Sequence, residues 1–147
     1  MKNLSLILLL FLAFISSCNK KMDESAAIRQ LLEKESATWR SGDFKAHADC
    51  WHIQPYSKIL VSNCKGQVFD VPPAMMKDPN AGMGDGGTSS NSNYQISIHG
   101  DHAWVSHDEE SIDKNGVVTH SHEIRILEKV GGQWKLVAQS IHQLPAP

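Results

Sequence analysis

Glu123 and Arg125 stand two residues apart in the stretch HEIRIL, the spacing that puts an acid and a guanidinium on one face of a β-strand. Enclosed in a cavity, such a pair would orient a polar ligand group. On an outer sheet face it would be an ordinary exposed ion pair, the commoner arrangement. His120 and His122 repeat the spacing just upstream, in a chain of 147 residues with eight histidines. Two imidazoles on one strand face are workable zinc donors, with His107, Glu109 or His142 as a third. Beside the turn residues Asn115 and Gly116 they read more simply as solvated histidines at a strand end. No metal and no cofactor is therefore expected.

Trp39, Trp51, Trp104 and Trp134, with Tyr56, are the large aromatic payload. Tryptophans first of all close a core, and indoles also line apolar ligand pockets. The stretch WHIQPY mixes aromatics with His52 and Gln54 where a helix gives way to a strand, and a pocket mouth belongs there. Pro55 holds the chain extended into Tyr56, so a buried Tyr56 hydroxyl is the best single donor to a ligand. The adaptable thioethers of Met75 and Met76 suit a pocket wall. The candidate ligand-binding set is accordingly Trp39, Trp51, His52, Tyr56, Trp104, Glu123, Arg125 and His142. No Gly-x-Ser-x-Gly nucleophile is present, and catalytic residues are not assigned.

These side chains need elements to hold them. DESAAIRQLLEKESATWRSG predicts an amphipathic helix, with Ile28, Leu31, Leu32 and Trp39 on one stripe, Asp23 or Ser25 as N-cap and Gly42 at its end. Asp43 can cap a short second helix, FKAHADCW, whose Phe44, His47 and Trp51 share a face; His47 is read as a packed or surface histidine. β-Branched runs predict strands in YSKILVSN and GQVFDV. PPAMMKD predicts a short helix with proline in its first turn, and PNAGMGDGGTSSNSN a mobile loop. No Gly-Lys-Ser/Thr follows that loop, so it is not read as a phosphate loop. NYQISIHG, AWVSHDEESI, HSHEIRILEKV and WKLVAQSIHQ are the remaining strands, with turns at Gly100, at Gly116 and at Gly131. In the last strand, alternation places Trp134, Leu136, Ala138, Ser140 and His142 on one face. Lys135, Val137, Gln139, Ile141 and Gln143 take the other. Helices followed by a run of strands make an α+β domain, with helices on one face of a strongly curved antiparallel sheet.

The chain opens with one lysine, an apolar run from Leu6 to Ile15, and then Ser16, Ser17 and Cys18. The run is short for a membrane span and fits a signal peptide over residues 1–17. Small residues directly before a cysteine resemble a bacterial lipoprotein signal, which would leave a lipid on Cys18. Residues 18–24 would then be a tether to the membrane and residues 25–147 a single domain in the cell envelope. Fourteen Lys and Arg against sixteen Asp and Glu, without a basic patch, argue against a nucleic-acid partner. For Cys50 and Cys64, two unpaired buried thiols are expected rather than a disulfide, although the compartment would permit one.

WRSGDFKAHADCW, then PY, GDHAWVS and HEIRILEKVGGQWKLV resemble the nuclear transport factor 2-like superfamily, with its SnoaL-like members. Within it they look like small bacterial envelope lipoproteins. The resemblance runs in order from Ile28 to Gln143, nearly all of the chain after the leader. It implies a cone-shaped, cystatin-like fold with a cavity at the wide end, and a convex sheet face that pairs with a second copy. His142 would stand where the cone admits water. Function does not follow from this fold, which serves isomerases, polyketide cyclases, dehydratases, transport adaptors and oligomerisation domains. A ketosteroid-isomerase-like carboxylate base does not map here, since Asp49 and Asp108 sit in no motif that aligns with it. The expectation is a homodimeric envelope lipoprotein that binds a small, partly apolar molecule. An acid–base enzyme using Tyr56, His52, Glu123 or His142 and a purely structural dimerisation module are the alternatives.

Overall fold

A computed structural model describes residues 23–78, 82 and 86–145; the leader, Cys18 and most of the expected tether lie outside them. Helix α1 (Glu24–Ser41) starts where Asp23 accepts a hydrogen bond from the Ser25 amide at 3.1 Å. It ends at Gly42, whose φ of 70° gives the left-handed cap that glycine adopts without strain. Asp43 caps α2 (Phe44–Ala48) in the same way, accepting from the Ala46 amide at 3.1 Å. Helix α1 begins one residue inside the segment assigned to the tether.

Six strands follow. They are β1 (Lys58–Ser62), β2 (Val68–Val71) and, after a 3₁₀ turn at Pro73–Lys77, β3 (Thr88–His99), β4 (His102–Ile112), β5 (Val118–Val130) and β6 (Gln133–Gln143). One sheet contains them in the order β2-β1-β6-β5-β4-β3. Neighbours are antiparallel except β1 and β6, which run parallel. The chain leaves β2 at one edge, re-enters at the far edge as β3 and returns by hairpins. The number of turns on that return fixes the direction of β6 beside β1, so one pairing departs from the antiparallel expectation. The Ser- and Asn-rich stretch expected to be loop is strand from Thr88 onward. There Ser89 pairs with Ser111 and Asn91 with Glu109, so polar side chains meet polar neighbours on the inner face.

Inward side chains of the central strands fall into cross-strand rows. Ala103, Leu127 and Leu136 make one row, which joins Ile28, Leu32, Trp51 and Ile59 in the core. Each fully buried aliphatic there contributes roughly 1.5–3 kcal/mol. Farther along come Val105, Arg125 and Gln139, then His107, Glu123 and Ile141, then Glu109, Ser121 and Gln143. Every central strand therefore turns from apolar to polar along its inner face. The apolar half holds the domain together and the polar half must face something else.

Strand β6 carries one extra residue. Leu127 pairs with Leu136 but Ile126 with Ala138, which leaves Val137 as a bulge. An inserted residue reverses the face of everything beyond it. Trp134 and Leu136 are buried in the core, and after the bulge Gln139, Ile141 and Gln143 continue the inner face. His142 points out instead, meeting the Ser62 and Ser140 hydroxyls at 2.9 Å each. That corrects the expected face shared by Trp134 and His142. Cys50 and Cys64 are unpaired; Cys50 is buried, but Cys64 is exposed in the turn between β1 and β2, against the expectation of two buried thiols. Burial pushes the Cys50 thiol up to about 11.

Candidate functional site

The polar half of the sheet and the second half of α1 border a cavity of about 570 Å³. Trp39, Ile59, Val61, Val71 and the two methionines of the 3₁₀ turn supply an apolar wall. Opposite them lies a polar floor centred on Arg125, which is 3% exposed. Its Nη1 donates to Glu35 Oε2 at 3.3 Å and to Gln139 Oε1, and its Nη2 donates to Glu123 Oε2. Glu123 Oε1 accepts from the Ser121 hydroxyl at 2.8 Å. Beside this cluster the Glu109 carboxylate accepts from Ser36 at 2.8 Å and from Ser111 at 2.6 Å, with Arg40 Nη2 3.6 Å away.

Glu35 is the link between sheet and helices. Its Oε1 lies 3.0 Å from His47 Nε2, and His47 Nδ1 lies 3.0 Å from the Met76 carbonyl. Burial alone would push the Glu35 carboxyl up. The Arg125 charge, followed by the His47 contact, outweighs burial and holds the carboxyl below its ordinary value. Burial likewise opposes the Arg125 charge, but Glu123, Glu35 and Glu109 raise its affinity for the proton still further. His107 is wholly buried, stacked on Tyr94 with ring centroids 5.3 Å apart. Burial, then the nearby Arg125 charge, favours its neutral form. A carboxylate pinned by a guanidinium binds and orients well, and it is a weak base.

The sequence-derived candidates separate into groups. Trp39, Glu123 and Arg125 line the cavity together. Trp51 is buried behind it, its ring centroid 6.3 Å from that of His47, and belongs to the core. Tyr56 corrects the expected pocket mouth, because the phenol is 61% exposed and donates to Glu128 at 2.8 and 2.9 Å. Pro55 and Tyr56 form a turn before β1, which throws the ring outward. His52 joins that outer cluster, with Gln54 Nε2 2.7 Å from its Nε2 and Glu128 3.8 Å from its Nδ1. Trp104 takes the outward parity of β4 and is 42% exposed. His142 is turned out by the bulge. His120 and His122 also point outward, toward Glu110 and Asp108, while His107 and Glu109 occupy the opposite face. Among the described residues no three such side chains are grouped to hold a metal.

Solved structures give this architecture a place. An NTF2-like protein of unknown function from Shewanella baltica matches at 18% identity and TM-score 0.57, over 84% of this chain and 95% of its own. Another NTF2-like protein, from Cytophaga hutchinsonii, matches at 15% identity and TM-score 0.63, over 84% of this chain and 100% of its own. The fold is nuclear transport factor 2-like. A protein with a cystatin-like fold from Nostoc punctiforme, at 14% identity and TM-score 0.64, covers 83% of this chain and 92% of its own. No family model and no curated protein sequence matches the chain. At such identities the likeness is one of fold, and a nuclear transport factor 2-like fold does not carry a reaction with it.

Sequence reasoning missed Glu35, Gln139, Glu109, Ser36 and Arg40 as parts of this cavity. One signal was available. Ile28, Leu32, Glu35 and Trp39 recur at helical spacing, so Glu35 places a charge on the apolar stripe of α1, where an unpaired carboxylate is too costly to bury. For Gln139 the signal was hidden by the bulge.

Proposed function

We propose that this chain is an exported, lipid-anchored envelope protein whose domain binds one small, partly apolar molecule in its cavity. The cavity itself carries the reading: a partly open space of about 570 Å³ with an aromatic and aliphatic wall on one side and ordered polar groups on the other. Native mass spectrometry of protein purified from the envelope should show a single small-molecule adduct. Val61→Trp, which fills the space from β1, should abolish that adduct without unfolding the domain. An adduct retained in full by the filled variant would place the ligand elsewhere.

A second reading, acid–base catalysis, draws on the Glu35, Glu109 and Glu123 carboxylates facing one cavity. It is weaker, because the Arg125 charge holds the Glu35 carboxyl below its ordinary value and makes it both a poor base and an unsuitable general acid.

Two further proposals concern assembly and location. On the convex face Trp104, Ile124 and Ile126 are 42%, 39% and 39% exposed and lie side by side across β4 and β5. An apolar patch centred on a sheet is best satisfied by a second copy. Sedimentation should find a dimer at micromolar concentration and Ile126→Lys a monomer; a wild-type monomer under those conditions removes the proposal. For location, Cys18→Ala should release the protein from membranes, and an alanine variant still sedimenting with membranes in high salt would defeat the anchor.

A further inference from the structure

Gln139 is 8% exposed and lines the cavity. Its Oε1 accepts from Arg125, and a guanidinium has no lone pair to offer, so this contact fixes which end of the carboxamide is which. The amino end has no hydrogen-bond partner among the described residues. Buried hydroxyls of the floor are engaged, Ser121 with Glu123, and Ser36 and Ser111 with Glu109. That amino group is not sealed in the protein interior, and its open side is the cavity, so it is available to donate to whatever the cavity holds.

The surrounding charges restrict what that donor can receive. Glu35, Glu109, Asp113 and Glu123 line the space against Arg40 and Arg125, and both guanidiniums already lie against carboxylates. An anionic ligand would enter a field of its own sign. A cation would be drawn in, but an ammonium group has no acceptor to give Gln139. What satisfies both conditions is an uncharged oxygen on an apolar body. We propose that Gln139 is the specificity-determining contact of the cavity, and that it selects an uncharged ligand by donating to a carbonyl oxygen. The proposal rests on the cavity-binding reading and deepens it by naming the ligand class.

The test titrates the mature chain with probes sharing one two-ring body: acetonaphthone, ethylnaphthalene, naphthoate and naphthylmethylamine, with binding read by ligand-observed NMR. The ketone should bind about tenfold tighter than the hydrocarbon, the carboxylate being weakest. Gln139→Glu keeps an oxygen for Arg125 but removes the amino donor. It should lower ketone affinity about tenfold and leave the hydrocarbon unchanged. Equal binding of ketone and hydrocarbon in the wild type would overturn the role of Gln139 while leaving the cavity reading intact. Tightest binding of the amine would do the same. Failure of every probe to bind would count against the cavity reading itself. If Gln139→Glu does not fold, the wild-type ketone-to-hydrocarbon ratio decides.

Discussion

Arg125→Met should destabilise the domain by about 3–5 kcal/mol, measured by urea denaturation at neutral pH. The guanidinium is buried between Glu35 and Glu123, with Glu109 adding to the negative field around it. Removing it strands carboxylates that are almost wholly buried, and the cost of an uncompensated buried charge exceeds the value of the pair that was lost. The companion variant Arg125→Met/Glu35→Gln/Glu123→Gln should recover much of the loss, because neutral amides remove the stranded charge. The same cluster sets an acid limit. Glu35 is held below its ordinary value of 4.5, so its stabilising contribution is complete above that pH and disappears as pH falls through the lower folded value. Wild type should therefore lose stability below about pH 4.5, and the triple variant should lose less. An Arg125→Met cost under about 1 kcal/mol, or a triple variant no better than the single, would show that the cluster is not charged as described.

Local signals made much of the architecture legible. Asp23, Gly42 and Asp43 mark helix ends by side-chain and backbone chemistry confined to a few residues, and each sits where its type requires. Strand direction and face depend on more distant facts. Nothing in WKLVAQSIHQ marks Val137 as an inserted residue, since neither Gly nor Pro stands there, yet that insertion decides whether Gln139 or His142 faces the cavity. Trp104 misleads for a related reason. Both faces of β4 are mixed, and only pairing with Ile126 shows that the indole belongs to the convex side. The Glu123–Arg125 spacing was visible, but its burial depends on Glu35, 90 residues away in sequence and supplied by α1. A contact of that range is a property of the packed domain, so the commoner exposed arrangement was the natural expectation and the buried one the outcome.

Trp51→Ala and Tyr56→Phe should separate core from surface within one six-residue stretch. The Trp51 ring is 2% exposed, packs in the central cluster and lies on a backbone bridge to Leu136 that ties α2 to β6. Truncation opens a cavity that neighbouring strands, held by their hydrogen bonds, cannot close, and large aromatics removed from such sites cost about 3–5 kcal/mol. Tyr56 is different in kind. Its ring stands in water and its hydroxyl serves only an exposed contact with Glu128. Tyr56→Phe should change stability by no more than about 0.5 kcal/mol and leave probe binding in the cavity untouched. Thermal unfolding of both variants, with a probe titration of the second, gives the answer. A destabilised Tyr56→Phe beside an unaffected Trp51→Ala would mean that the chain enters β1 with the opposite face inward, and the cavity would have to be redrawn around Tyr56.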